Sequence, residues 1–342
     1  MKPLVSILIP AYNAEKWISD TLRSAIAQQW TEREIIVVDD GSKDQTLDVV
    51  QRFKADGVRV VTQRNQGAAA TRNAAFALCH GDYIQWLDAD DLLSPDKISR
   101  QMEVALQQES KRTLISCGWG GFLYRYSRAK FVPTPLWADL DRAEWLFRKM
   151  SQNLHMQTAT WLVSRELTEA AGPWNTELLG DDDGEYFCRI LLASNGVRFV
   201  PGARVYYRAT GAGSLSHIGN SDRKRDAQWR SMQLHIKYLR SLEDTPRTRA
   251  ASVAYMHNWL NFFYPERPDL IEQMQSTSRD LGGNLEMPRL SWKYSWIAAV
   301  FGKGLGRRAQ ILLPRLKWSV LRFCDKMLFR LTTRGTYALP TE

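Results

Sequence analysis

The chain has 342 residues, enough for one large domain with a smaller attachment and too few for three full domains. Hydrophobic residues make up 44% and charged residues 24%, globular proportions that exclude a disordered, collagenous or many-span membrane chain. The net charge of +9 is unevenly spread: Arg289 to Glu342 carry eleven Lys and Arg against two Asp and Glu, while the preceding residues hold 35 basic and 35 acidic side chains.

In chain order, Leu4 to Ile9 is a short apolar run stopped by Pro10, the pattern of a buried parallel strand. Glu15 to Gln28 places Trp17, Ile18, Leu22, Ala25 and Ile26 at helical spacing. Glu34 to Val38 predicts a second strand that stops at Asp39-Asp40-Gly41-Ser42, and Gln45 to Phe53 a helix with Ser42 or Asp44 as its N-cap. Val58 to Thr62, Ala68 to Cys79 and Tyr83 to Leu87 continue as strand, helix and strand. Ser94-Pro95 then supplies a cap and a first-turn proline for a helix to about Gln108. This alternation predicts an α/β, Rossmann-like, doubly wound and mostly parallel sheet, whose ligands sit beyond the carboxyl ends of the strands. The acids at 39–40 and 88–91 both fall there.

From Thr113 to about Ser216 the pattern is less regular. Phe122 to Tyr126, Thr160 to Ser164 and Val205 to Tyr207 are strand candidates, Trp161 reads as core, and Gly184 to Ala193 predicts a helix. Asp222 to about Asp280 reads as a helical spacer. The four cysteines, Cys79, Cys117, Cys188 and Cys324, lack metal-ligand spacing, which fits a reducing compartment. The first residues have no signal-peptide pattern, and no run of about 18 apolar residues occurs, so a cytoplasmic location is expected.

Three carboxylates in Asp88-Ala89-Asp90-Asp91 repel one another and call for a cation; an oxygen-only set suits Mg²⁺ or Mn²⁺ alongside substrate phosphates. The plainer alternative is a solvated turn before a helix. Asp39-Asp40 could accept from a base N–H or a ribose hydroxyl, or simply cap the next helix. Ala11-Tyr12-Asn13 offers a ring and backbone to the same ligand, and Arg72 stands in the first turns of a helix, where phosphate is favoured.

Together and in this order, V-S-I-L-I-P-A-Y-N, I-I-V-V-D-D-G-S, N-Q-G-A-A-A-T-R-N and W-L-D-A-D-D resemble the signature set of the family 2 glycosyltransferases of the GT-A fold. The resemblance is dense over residues 4 to 100 and sparse to about 217. It implies that Pro10, Ala11 and Tyr12 line a nucleobase pocket, that Asp40 accepts from the base N3–H, and that Arg72 lies near base and diphosphate. Asp88 would contact the ribose, Asp90 hold the divalent metal, and Asp91 orient it. For the base of an inverting transfer, the matching stretch is Gly180-Asp181-Asp182-Asp183-Gly184, with Arg189 following. Counting back from Arg189 makes Asp183 the candidate, with Asp182 in play if the register slips by one. Asp stands where the family has Glu, and Gly184 where a bulky residue is usual. Trp174 would stack on an acceptor sugar, and Arg208 with Gly211 to Ser216, Ser214 included, would close over the donor.

The resemblance thus implies an inverting transferase moving a sugar from a nucleotide-diphosphate donor, a UDP-sugar by preference, to a saccharide or lipid-linked hydroxyl in surface polysaccharide assembly. Residues 1–220 would form the GT-A domain, with a donor half to about 110 and an acceptor half beyond it, and 221–342 a helical extension. Two alternatives stand beside it: a sugar nucleotidyltransferase, which would need a Gly-rich phosphate loop after the first strand, and a non-catalytic membrane-associated binding protein on a degenerate transferase fold. In the tail, Arg315 to Leu331 plotted as a helix put Leu316, Val320, Phe323, Cys324, Met327 and Leu331 on one face and Arg315, Arg322, Lys326 and Arg330 beside it. That pattern predicts a peripheral helix on the anionic inner face of the plasma membrane, with packing on the body or on a second copy in a homo-oligomer as the alternative. Nucleic acid is disfavoured, because phosphate binding needs no apolar stripe.

Overall fold

The computed structural model describes residues 2–209, 221–287 and 291–333. The first half alternates as expected: β1 (Val5–Ala11), α1 (Ile18–Ile26), β2 (Arg33–Asp39), α2 (Thr46–Gln51), β3 (Val58–Thr62), α3 (Ala68–Leu78), β4 (Tyr83–Trp86), β5 (Leu92–Leu93) and α4 (Lys97–Leu106). β6 (Thr113–Phe122), β7 (Lys130–Phe131), α5 (Arg142–Ser151), β8 (Val163–Ser164), α6 (Arg165–Ala171), α7 (Asp182–Ala193) and β9 (Gly196–Arg208) follow. The extension holds α8 (Asp222–Leu242), α9 (Pro246–Phe263), α10 (Pro268–Asp280), α11 (Trp292–Phe301) and α12 (Lys303–Thr333).

The first sheet has the order β3-β2-β1-β4-β8, with β1 to β4 parallel and the short β8 antiparallel at the edge. β1 and β4 are near-continuous apolar runs because helices cover both faces of this sheet. A second sheet, β5-β9-β6-β7, is built on the parallel pair of β6 and β9. Its long strands differ from the sequence expectation. Val205 to Tyr207 is only the end of β9, whose Pro201-Gly202 interrupts the apolar pattern, and the run from Phe122 to Tyr126 is the end of β6 plus a turn. Thr160 to Ser164 shortens to Val163–Ser164. Asp96, not Ser94, precedes the first residue of α4; Lys97 donates to the Ser94 carbonyl in a turn that brings the chain into the helix.

Two apolar clusters lie on either side of the first sheet. One joins β1, α1, α4, β6 and β9. The other joins α3, α5, α6 and α7 to Trp229, Met232 and Leu239 of α8 and to Tyr255, Met256 and Phe263 of α9. The segment expected as a spacer is therefore core: each of these side chains contributes about 1.5–3 kcal/mol by leaving water. Trp161 is buried, as expected. No helix among the described residues is long and apolar enough to cross a membrane.

Candidate active site

The turns at the carboxyl ends of β1 and β2 are laced together. Asn13, at φ 49°, donates its backbone N–H to Ser42 Oγ (2.9 Å) and accepts from Lys43 N at 2.8 Å, while Asp40 N donates to the Ala11 carbonyl at 2.8 Å. Pro10 and Ala11 line this junction, and Tyr12 projects from it, 45% exposed. Gly41 sits at φ 69°, and a Cβ there would lie 3.1 Å from the backbone of Gln63 and Asn65, so two loops meet where only glycine fits without strain.

Asp40 departs from its expected role. It is 2% exposed, and its carboxylate accepts from Gln63 Nε2 (2.8 Å) and the backbone N–H groups of Gln66 (2.9 Å) and Gly67 (2.8 Å). Both oxygens are engaged by the loop ahead of α3, so Asp40 fixes where that helix starts instead of facing a base. The unpartnered acceptor of the pair is Asp39 Oδ1.

That placement delivers Arg72. Its guanidinium is buried, donates to Asp88 Oδ1 at 2.8 Å and Asp182 Oδ2 at 2.9 Å, and lies 4.4 Å from the Trp174 ring centroid. Burial works against its charge, but Asp88 and Asp182 outweigh burial and hold its pKa above the ordinary value. Arg72 thus joins the acidic turn after β4 to the start of α7. The neighbouring Asn73 exchanges two hydrogen bonds with the backbone of Trp174, at 3.0 and 2.8 Å.

Trp174 itself is a correction. It is 2% exposed, its ring stacked on Tyr186 at 3.9 Å and 11° and edge-on to Trp86 at 5.3 Å. With Arg72 against it as well, the indole is a floor under the site and has no face for a sugar. Arg208 is the second correction. It is buried beneath the acidic turn, donating from Nε to the Asp90 carbonyl and from its backbone N–H to Asp91 Oδ1, both at 2.8 Å. Its guanidinium lies 4.5 Å from the Trp17 ring and 3.5 Å from Asp20 Oδ2. Burial pushes Asp20 up to about 6, opposed by Arg208 and Arg23. Ser214 and the rest of the expected closing loop lie outside the described residues.

On the acidic turn, Asp91 is fully buried and also accepts from Gln157 Nε2. Burial, then Asp90 and Asp88, push its pKa well up against the Arg208 contacts. Asp88 and Asp90 are part-exposed. Among the described residues no group of three or more His, Cys, Asp or Glu forms a complete metal cage. One or two carboxylates on an open turn, with oxygen donors only, are nonetheless the donor set that Mg²⁺ or Mn²⁺ uses when phosphates and water complete its shell.

At the start of α7, Asp181 takes a left-handed conformation, φ 54°. Its Oδ2 accepts from Ser231 Oγ at 2.6 Å and Gln228 Nε2 at 3.4 Å, with His235 Nδ1 at 3.9 Å. A Cβ at Gly184 would lie 2.1 Å from Asp181 Oδ1, so the glycine that breaks the family pattern is where this carboxylate packs. Burial raises the Asp181 pKa, but His235, Lys149 and Ser231 outweigh it and keep it low. Asp182 goes the other way: burial, aided by Asp183, Asp88 and Asp181 and opposed by Arg72, pushes it up to about 6. Asp183 accepts from Thr158 Oγ1 at 3.3 Å. Gln228, Ser231 and His235 escaped the sequence reading. Their signal is a polar i, i+3, i+7 line on an otherwise apolar face of α8.

Residues 6–170 match the model of glycosyl transferase family 2, so this stretch of the chain is a family 2 glycosyltransferase domain. Over 117 residues, 34% of the chain, it is 42% identical to 16% of the chondroitin synthase of Escherichia coli. The match spans less than half the length of each of the first three curated relatives. Among solved structures, residues 1–349 of S. aureus TarS superpose with TM-score 0.60 at 17% identity, covering 81% of this chain and 80% of that one; its complex with UDP-GlcNAc gives 0.54, 18%, 81% and 89%. The mannosyltransferase PcManGT of Pyrobaculum calidifontis, in complex with GDP-Man and Mn²⁺, gives TM-score 0.52 at 19% identity, covering 94% of this chain and 84% of that one. These structural likenesses establish the fold.

Proposed function

We propose that the chain is an inverting glycosyltransferase that moves a sugar from a nucleotide-diphosphate donor to a hydroxyl of a saccharide or lipid-linked acceptor, in building a surface polysaccharide. The observation that carries this is the buried Arg72 bridge, which ties the part-exposed acidic turn at Asp88 to the acid pair of α7 in one network. Pro10, Ala11 and Tyr12 line the base, Asp88 faces the ribose with the buried Arg72 paired behind it, and Asp90 with substrate phosphates would hold Mg²⁺ or Mn²⁺. When bound there, a divalent cation would offset the negative charge of the diphosphate leaving group. Asp183, oriented by Thr158, takes the proton of the acceptor hydroxyl as that oxygen attacks, while Asp182 stays paired with Arg72. UDP-sugar is the favoured donor, supported by the TarS complex with UDP-GlcNAc; the PcManGT complex with GDP-Man makes GDP-sugar the comparison.

The non-catalytic alternative drew on the irregular acid triplet. Asp181 packing over Gly184 gives that irregularity a structural reason, so it no longer favours the non-catalytic alternative over transfer. A location at the inner face of the plasma membrane, on an otherwise cytoplasmic protein, is supported by α12. Leu316, Val320, Phe323, Cys324, Met327 and Leu331 are exposed on one side, with Arg322, Lys326 and Arg330 beside them. A thermal-shift screen of UDP- and GDP-sugars with and without Mn²⁺ tests the function. The expected result is a metal-dependent rise in midpoint with one nucleotide series; no rise with any of them would count against a donor site.

A further inference from the structure

The tail is basic, yet among the residues of α12 there is one acid, Asp325. It does not lie in solvent. Its carboxylate accepts from the backbone N–H groups of Tyr124 (2.9 Å) and Arg125 (3.3 Å) and from Arg125 Nε at 2.7 Å. The side chains of Arg125 and Asp325 are 20% and 13% exposed. One helical turn on, Phe329 is buried, with its ring 6.2 Å from that of Tyr124. Residues 325 and 329 are four apart, so they share a face, and it is not the exposed apolar one. Charge-assisted bonds of this kind are about twice as strong as neutral ones and fix a helix in one seat.

The seat lies at the rim of the donor site. Tyr124 and Arg125 follow the carboxyl end of β6. The Tyr124 ring is 5.7 Å from that of Trp17, and Trp17 is 4.5 Å from the buried Arg208 guanidinium. Arg208 in turn donates to the Asp90 carbonyl and the Asp91 carboxylate. The next residue, Ala209, donates to the Phe122 carbonyl at 2.8 Å and ties the ends of β9 and β6.

We propose that Asp325 is a positioning residue for donor binding: by seating α12 on Tyr124 and Arg125 it holds the Trp17–Arg208 stack, and through it the turn that carries Asp88 and Asp90. This rests on the reading of that turn as the donor site. Loss of the clasp frees Tyr124, lets Trp17 leave the guanidinium, and loosens the two hydrogen bonds by which Arg208 shapes the turn.

The test is calorimetric titration of UDP, then GDP, with Mn²⁺ into the full chain and its Asp325→Asn, Asp325→Glu and Phe329→Ala variants, with thermal midpoints measured alongside. Asp325→Asn, which keeps the side chain's shape, and Phe329→Ala are expected to weaken nucleotide binding on the order of fivefold or more. Asp325→Glu restores it, and the midpoint of Asp325→Asn without nucleotide stays near that of the parent. Equal affinity in parent and both clasp variants would overturn the inference while leaving the donor site intact. A parent that binds neither nucleotide would overturn the donor-site reading and the clasp with it.

Discussion

At the residue scale, the site is organised by one buried cation among several acids. Arg72 has two carboxylate partners, and they belong to motifs almost a hundred residues apart in sequence. Replacing Asp183 with Asn keeps the shape and removes the proposed base, so transfer should fall by about 10²–10⁴-fold while UDP–Mn²⁺ binding stays unchanged. Asp182 sets a pH dependence. Its pKa of about 6 lies above the ordinary 3.8, so the folded chain holds a proton that the unfolded chain has released. The resulting stabilisation is present below the unfolded value and is lost as pH rises through about 6. Activity runs the opposite way: below about 6 Asp182 protonates and Arg72 loses a partner, so kcat/KM should drop on the acid side with a midpoint near there. Asp20 is also raised to about 6, so the Asp182→Asn profile assigns the limb; a limb that persists unchanged in that variant belongs elsewhere.

Between elements, what the sequence makes legible is what is local. The apolar strands of the first sheet, the helices between them and the acidic turns at their ends carry their own periodicity and punctuation, so they could be read in order. What it hides is non-local. Trp174 follows a Gly-Pro turn, a context that looks the same whether the ring meets a sugar or, as here, Tyr186 and Arg72. Asp40 reads as a ligand contact until the loop of Gln66 and Gly67 is folded back onto it. The start of α7 is set by α8, whose Ser231 reaches Asp181 across fifty residues. Gly184→Ala tests that junction. The added methyl collides with Asp181 Oδ1, and a loss of about 1–3 kcal/mol is expected in urea unfolding. Adding Asp181→Ala should recover most of it, and a neutral Gly184→Ala would mean that the carboxylate is not packed there.

Across the whole molecule, the charge asymmetry of the sequence turns into geometry. The neutral body carries the acidic site, and the basic tail forms a helix with one acid turned inward and an apolar stripe turned out. Charge and stripe should act together at a membrane: Phe323→Glu with Leu331→Glu is expected to cut binding to anionic vesicles at least tenfold, as sedimentation would show, and added salt should weaken what remains. Unchanged binding would return the stripe to packing on a second copy of the chain. The central claim, that the Arg72 network is a catalytic site for sugar transfer, meets its most direct test in one comparison. With the nucleotide sugar that shifts the melting midpoint, nucleoside diphosphate release is measured for the parent chain and for Asp183→Asn. Metal-dependent release by the parent, lost in the variant while the variant still binds the nucleotide, is the outcome predicted; release that continues undiminished in Asp183→Asn would contradict it.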